Sequence, residues 1–368
     1  VLSEVAPGLL LTVLVAWIGM STSGWLGTEL MGFERSPISG IMLAVVLGMV
    51  LGNLVKLPAI LTLGTQFSMT RLLRIGIILL GIRLGLGEVI QFGLVSIPLI
   101  LLCIVVSMAA TYFMSKKLEL STRMGTLIAV GTSICGATAI VATAPSIGAD
   151  DEEVAYALGN ITIFGVVAMF VYPILARAIF ADDVMSAGRF LGTAIHETGQ
   201  VAGSGLIYEE LFGGQRVLDV AAVTKLIRNL CMLLVIPAVA YVSLRTSSVS
   251  NGILARKGSL RSSFPTFIIG FILLSILRSV GDAGIESDLA AFGMFDSSTW
   301  QTITKDLASW SERLLAVAMA GLGLRVSFGQ LRSLGFRPFY VGLVAAVTVG
   351  LASLLGIAML NIVFPAIG

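Results

Sequence analysis

The sequence predicts an all-α protein that crosses a membrane many times. Three observations predict it. Of the 368 residues, 57% are hydrophobic and only 12% charged, against roughly 25% charged in soluble domains. The mean hydropathy is +1.00. The apolar residues are gathered into long runs, and ~20 of them in a helix suffice to cross a bilayer. Eleven runs can be read, so residues 1–368 form one polytopic transmembrane domain with no soluble domain beside it. Its halves are expected at about 1–180 and 188–368.

The first span is expected over 5–27. It lacks a basic leader and a small-residue cleavage site, so it reads as a span and not a signal peptide. The second covers 38–55 and stops at Lys56-Leu57-Pro58. Arg71 and Arg74 open the third, which ends near Leu86. The fourth covers 92–114. The fifth, 124–145, is broken by small polar residues and glycines. The acidic run Asp150-Asp151-Glu152-Glu153 precedes the sixth, 154–180, and reads as a solvated loop or a helix N-terminus. The seventh, 188–207, is short and glycine-rich, and the eighth covers 217–242. The polar linker 245–263 is the expected boundary between halves. The ninth span covers 264–280, the tenth runs from Asp306 to Phe328, and the eleventh covers 339–365.

Charge orients these spans, because cytoplasmic loops collect Lys and Arg. Eleven spans place Lys56, Arg71, Arg74, Lys116, Lys117, Arg123, Arg177, Arg189, Arg245, Arg256, Lys257, Arg261, Arg332 and Arg337 on one side. Only Arg35, Arg216, Arg278 and Lys305 fall on the other. The expectation is an inner-membrane protein with its N-terminus cytoplasmic and its C-terminus outside. A net charge of +2 without a basic block excludes nucleic acid as an expected partner. The bilayer is the expected partner, and small-residue stripes leave a homo-oligomer open.

Two internal echoes stand out. A shift of 242 residues lays Arg71-Leu72-Leu73 on Arg313-Leu314-Leu315, and Gly81, Arg83, Gly87 and Gly93 on Gly323, Arg325, Gly329 and Gly335. The third and tenth spans cross in opposite directions by the charge count, which is the mark of an inverted repeat. A weaker echo pairs Gly131-Thr132 with Gly192-Thr193, and Tyr172-Pro173 with Ile236-Pro237. The two do not fit one simple repeat.

The residues that could carry chemistry lie at the interruptions. Glycine loosens a helix, and Ser, Thr and freed backbone groups can then face a ligand. In the fifth span Thr132, Ser133 and Thr138 offer hydroxyls, and a break at Gly136 would open a helix N-terminus, a ready anion site. Asn160 and Thr162 of the sixth span could face it. In the seventh span, His196-Glu197-Thr198-Gly199-Gln200 has the look of a zinc-protease motif, but Gln200 replaces the second histidine. His196 is the chain's single histidine, so a two-His zinc site is impossible. His196 and Gln200 share a helical face and can hydrogen-bond an oxyanion; His196 or Glu197 could carry a proton. The alternative is a satisfied bond between helices. Lys225 and Arg228 share a face of the eighth span, each costing ~2.5–3.5 kcal/mol at the centre of a membrane helix. They either balance a bound anion or snorkel, and Asn229 adds polarity beside them. Arg83 and Arg325, at span ends, read as snorkelling. Cys103, Cys135 and Cys231 lie in apolar runs without zinc or disulfide spacing, and no GxxxxGK[ST] motif occurs, so no metal or cofactor is expected.

These residues carry a resemblance. Gly131-Thr132-Ser133-Ile134-Cys135-Gly136-Ala137-Thr138, Ile163-Phe164-Gly165, Phe170-Val171-Tyr172-Pro173, and His196-Glu197 with Gln200-Val201 are similar to the YeiH-type family, labelled sulfate exporters. The segment from Arg71 to Leu84, the pair Lys225 and Arg228, and 316–323 fit as well. The resemblance runs from about Pro7 to the last span. It implies a distant likeness to bile-acid/sodium symporters and cation/proton antiporters, whose cores hold crossed, interrupted helices. Gly199-Gln200 with Gly203-Ser204-Gly205 is more glycine-rich than the family pattern and leaves the seventh-span break poorly placed.

The reading is therefore a secondary transporter of a small anion, sulfate or a related oxyanion first, and not an enzyme. Thr132, Ser133, Thr138 and Gln200 would bind substrate, Lys225 or Arg228 would balance its charge, and His196 or Glu197 would couple a proton. A cation/proton antiporter is the runner-up, although Glu197 is its one strong carboxylate. An integral-membrane enzyme is the rival from another class.

Overall fold

The computed structural model describes residues 2–33, 36–55, 57–246, 265–287, 290–327, 329 and 335–363. Among them the secondary structure is helical apart from a single bridge between Ala291 and Phe295. The helices are α1 (Leu2–Gly24, with a wider turn over Trp25–Leu30), α2 (Gly40–Leu54), α3 (Ala59–Arg83) and α4 (Leu86–Lys117). Next come α5 (Thr122–Ser133), α6 (Ala137–Ile147), α7 (Asp151–Phe180), α8 (Val184–Ala194) and α9 (Thr198–Phe212). The last are α10 (Val217–Leu230), α11 (Met232–Thr246), α12 (Phe267–Glu286), α13 (Ser297–Arg325) and α14 (Phe336–Val363).

Local chemistry sets the starts. Ser39 accepts from Met42 N at the head of α2, Ser121 from Met124 N at α5, and Asp183 from Met185 N and Ser186 N at α8. The acidic run is the head of α7: Asp150 and Glu153 form a reciprocal capping box, and Glu153 also accepts from Ser121 Oγ at 2.5 Å.

Seven helical runs among the described residues are long and apolar enough to cross a bilayer: α1 with its extension, α3, α4, α7, α10 with α11, α12 and α14. The other four expected spans fall short for identifiable reasons. One is α2, of 15 residues. Two are split, into α5 and α6 and into α8 and α9. The fourth, α13, opens on polar turns. Two boundaries are corrected. The third span begins at Ala59 and not at Arg71, because the polar stretch before Arg71 packs on α1: Gly64, Thr65 and Ser68 are buried, and Ser68 and Thr12 share a 2.7 Å hydrogen bond. The tenth begins at Ser297 and not near Asp306, because Trp300 anchors its polar start by donating to Asp282 at 2.7 Å. Apart from residues 245 and 246, the linker 245–263 lies outside the described residues.

The chain forms two compact units, each drawn from three stretches. Unit 1 is Val1–Leu94, Ala202–Ala222 and Thr266–Ser327; unit 2 is Val95–Val201, Val223–Pro265 and Phe328–Gly368. The weaker echo lies in unit 2, and the stronger one in unit 1 except for Gly329 and Gly335, which fall in unit 2. In unit 1, Ser311 donates to Gly76 O at 2.7 Å, whereas further along α13 Gly321 meets Thr65 and Ser68. As α13 advances, α3 recedes, so the two echoing helices are antiparallel. A Cβ at Gly81 would strike the backbone carbonyl of Phe271 in α12, and one at its echo, Gly323, would strike that of Val45 in α2. Each echoing helix thus packs on the helix that precedes the other.

At Gly323 the obstacle is backbone and cannot swing away. Gly323→Ala should therefore cost ~1–3 kcal/mol, the usual penalty of overpacking. Thermal unfolding in detergent checks this; an unchanged midpoint would show that the two helices are not in contact there.

Candidate functional site

Unit 2 is built around two interruptions with the same period. The helices α5 and α8 end at Ser133 and Ala194, and α6 and α9 begin at Ala137 and Thr198, in both cases 61 residues apart. The weaker echo is thus a repeat of the break itself. At the first break Gly136 has φ +73°, a conformation that glycine adopts without strain. The breaks meet there: a Cβ on Gly136 would lie 3.2 Å from Glu197 Cβ, and Glu197 is its echo partner.

An interrupted helix leaves carbonyls at the end of its first half. Two cations from α10 take them up. Lys225 Nζ donates to Ile134 O at 2.9 Å, to Ile195 O at 2.8 Å and to His196 O. Arg228 donates from Nε to Ser133 O at 2.8 Å, from Nη2 to Thr132 O, and from Nη1 to Thr193 O and Ile195 O. Ile134 and Ile195 are echo partners, as are Thr132 and Thr193, so each cation bridges equivalent carbonyls of both breaks. Both side chains are fully buried. Three donated bonds from one nitrogen require the ammonium form of Lys225. A positive charge at a helix C-terminus is favourable, and here two such ends share two charges. Snorkelling is excluded for both residues.

The other expected residues gather at the same crossing. Gln200 is buried, accepting from Glu197 N at 3.3 Å and donating to Thr162 O at 3.3 Å, with Gly165 leaving it no spare room. Thr132 and Ser133 are buried, and Ser133 Oγ has no partner. His196 is 1% exposed; its ring bonds the backbone of Thr132, and its Nδ1 is unpartnered. Glu197 is half-buried. Thr138 is exposed on the first turn of α6, where no side chain caps the helix. Asn160 does not face the crossing. It donates to Pro338 O at 2.6 Å and packs on Gly342 of α14. Thr162 reaches it only through its carbonyl.

Arg83 is corrected. It does not snorkel but joins three carboxylates in unit 1: Asp219 at 2.8 Å, Glu312 at 2.9 Å and Glu209 at 3.2 Å. Glu209 also accepts from Leu218 N at the head of α10. These four line a cavity of about 590 Å³ with Arg216, Arg278 and Lys305. Those last three were placed on one side of the membrane by charge; the fourth, Arg35, lies outside the described residues. Sequence reasoning missed the carboxylates because they come from three separate helices. Arg325, the echo of Arg83, is exposed. Among the described residues no group of His, Cys, Asp and Glu is arranged to hold a metal ion.

Comparison with known proteins finds relatives along nearly the whole chain. A family model described as conserved hypothetical protein 698 matches residues 7–342. A UPF0324 membrane protein of Fusobacterium nucleatum is 32% identical over 329 residues, 87% of this chain and 91% of the relative. One of Streptococcus pyogenes serotype M18 is 30% identical over 349 residues, 95% of both chains. Another, of Bacillus cereus, is 30% identical over 307 residues, 83% of both.

The two echoing arginines should respond differently to truncation. Arg83→Ala leaves buried carboxylates without their cation and should cost ~3–5 kcal/mol. Arg325→Ala, at an exposed position, should stay within ~0.5 kcal/mol of the parent. Thermal midpoints of the two variants in the same detergent make the comparison, and equal losses would deny Arg83 its hub role.

Proposed function

We propose that this chain, which belongs to the UPF0324 family of membrane proteins, is a proton-coupled secondary transporter of a small oxyanion, sulfate first. It is a carrier and not an enzyme, and it sits in the inner membrane with its N-terminus cytoplasmic. One observation supports this above the others. Lys225 and Arg228 neutralise the carbonyl ends of α5 and α8, while the facing N-terminal ends of α6 and α9 meet at a half-buried carboxylate, Glu197. Broken helices whose N-termini converge are the usual way in which carriers hold anions near the midplane.

The roles of the basic residues change from the sequence expectation. Lys225 and Arg228 spend their donors on carbonyls, so they set the charge of the crossing without grasping the substrate. Direct contacts fall to the N–H groups at the head of α6 and the hydroxyl of Thr138, with Ser133 beneath. Formal charge then suggests the coupling. Two cations and one carboxylate face each other; a proton on Glu197 leaves two positive charges, the number a dianion matches. Glu197 is a better proton carrier than His196 on access alone, since His196 is 1% exposed. Gln200 is a framework residue in this reading.

The test is exchange of labelled sulfate by proteoliposomes preloaded with unlabelled sulfate, across a series of pH values. Saturable exchange should appear, steered by pH and inhibited by other tetrahedral oxyanions. Glu197→Gln should retain sulfate binding and lose the pH dependence. No flux above empty liposomes from folded protein would remove sulfate, and flux of sodium or potassium driven by a pH gradient would replace the anion reading with a cation/proton antiporter.

A further inference from the structure

Asn229 is not used by the reading above, and its position asks for an explanation. It is 2% exposed. Its Nδ2 donates to Thr198 Oγ1 at 3.0 Å, but its Oδ1 has no partner. An unpaired buried acceptor is destabilising, and such groups call for a cause.

The neighbourhood supplies one. Lys225 and Asn229 are four apart on α10 and share a face. Lys225 is bonded to the carbonyl of His196, and Asn229 to the side chain of Thr198. Glu197 lies between those two anchored residues, so α10 brackets it. Its backbone N–H is bonded to Gln200, while its carboxylate makes no hydrogen bond or ion pair with any described residue. All three Lys225 donors are spent on carbonyls, so the ammonium cannot serve the carboxylate. Of the unpartnered side-chain atoms around this break, Ser133 Oγ, His196 Nδ1 and Asn229 Oδ1, the amide oxygen is the one that can only accept.

We propose that Asn229 is the positioning residue of the coupling proton: its Oδ1 accepts a hydrogen bond from the Glu197 carboxyl when that group is protonated and gains none when it is ionised. The proton stays on Glu197 and the O–H turns toward Oδ1. This rests on the reading of Glu197 as the coupling group. A bond made only to the protonated form raises proton affinity. Other titratable groups near Glu197 are accounted for: Lys225 from α10, Cys135 from the break between α5 and α6, and His196 beside it. From α7, Ile161 packs at the same break, against Gly136, and does not titrate.

The experiment is the pH profile of sulfate exchange in proteoliposomes for wild type, Asn229→Leu, Thr198→Val and Glu197→Gln. Asn229→Leu should move the midpoint about one unit toward acid, the equivalent of a tenfold loss of proton affinity. Thr198→Val, which removes the hydroxyl and keeps the acceptor, should leave the midpoint in place. An unmoved or alkaline-shifted Asn229→Leu midpoint, beside a flat Glu197→Gln profile, overturns the role of Asn229 and leaves the coupling role of Glu197 standing. A Glu197→Gln profile like wild type overturns both. Should Asn229→Leu not fold, the wild-type protein still decides. Its pH-difference infrared spectrum contains the Glu197 carboxyl band, identified by its loss in Glu197→Gln. A band at the hydrogen-bonded frequency supports the pairing, and one at the free frequency refutes it.

Discussion

Unit 2 depends on two buried cations meeting the carbonyl ends of two interrupted helices. Taking an ammonium or a guanidinium out of water costs several kcal/mol, even after relaxation. Leaving the last carbonyls of α5 and α8 unpaired would also be expensive. Each cost answers the other when Lys225 and Arg228 donate into those carbonyls. The helices can therefore stop in mid-span, and their second halves can begin at a point where backbone N–H groups are open.

The same symmetry explains why one pair of cations serves two breaks. Thr132 with Thr193, and Ile134 with Ile195, are equivalent positions in the 61-residue echo, and each pair converges on one side chain. Gly136 and Glu197 are equivalent too, and there the symmetry is deliberately unequal in chemistry. Glycine supplies the turn that a side chain would strain, and glutamate supplies the group that can hold a proton. Unit 1 shows the same pattern in another form. Its antiparallel repeat keeps the glycines that let backbones touch, but Arg83 has gathered three carboxylates and Arg325 none among the described residues. In both units the repeat supplies the packing and its departures supply the polar groups.

Much of this was legible in the sequence. Composition fixes an all-α membrane protein because only helices or closed barrels satisfy the backbone in lipid. The glycine and hydroxyl residues around 131–138 mark the first break, and Gly136 is where it occurs. The short, glycine-rich seventh span marks the second, although its place, at 195–197, was not readable. The acidic run 150–153 reads as a solvated loop or a helix start, and it is the helix start. Lys225 and Arg228 stood out as charges in an apolar run, yet their partners are main-chain carbonyls, which leave no trace in side-chain identity.

By itself, then, the sequence determined the fold class, the interruptions and the residues too polar to be idle, because each follows from local composition and the cost of polar groups in lipid. Tertiary structure alone decided which partners those residues have. It brought Arg83 to carboxylates more than a hundred residues away, turned Asn160 toward α14, and tied Asn229 to Thr198, the residue after Glu197. Long-range pairing depends on how helices cross, and a helical period states which face a residue occupies but not what that face will meet.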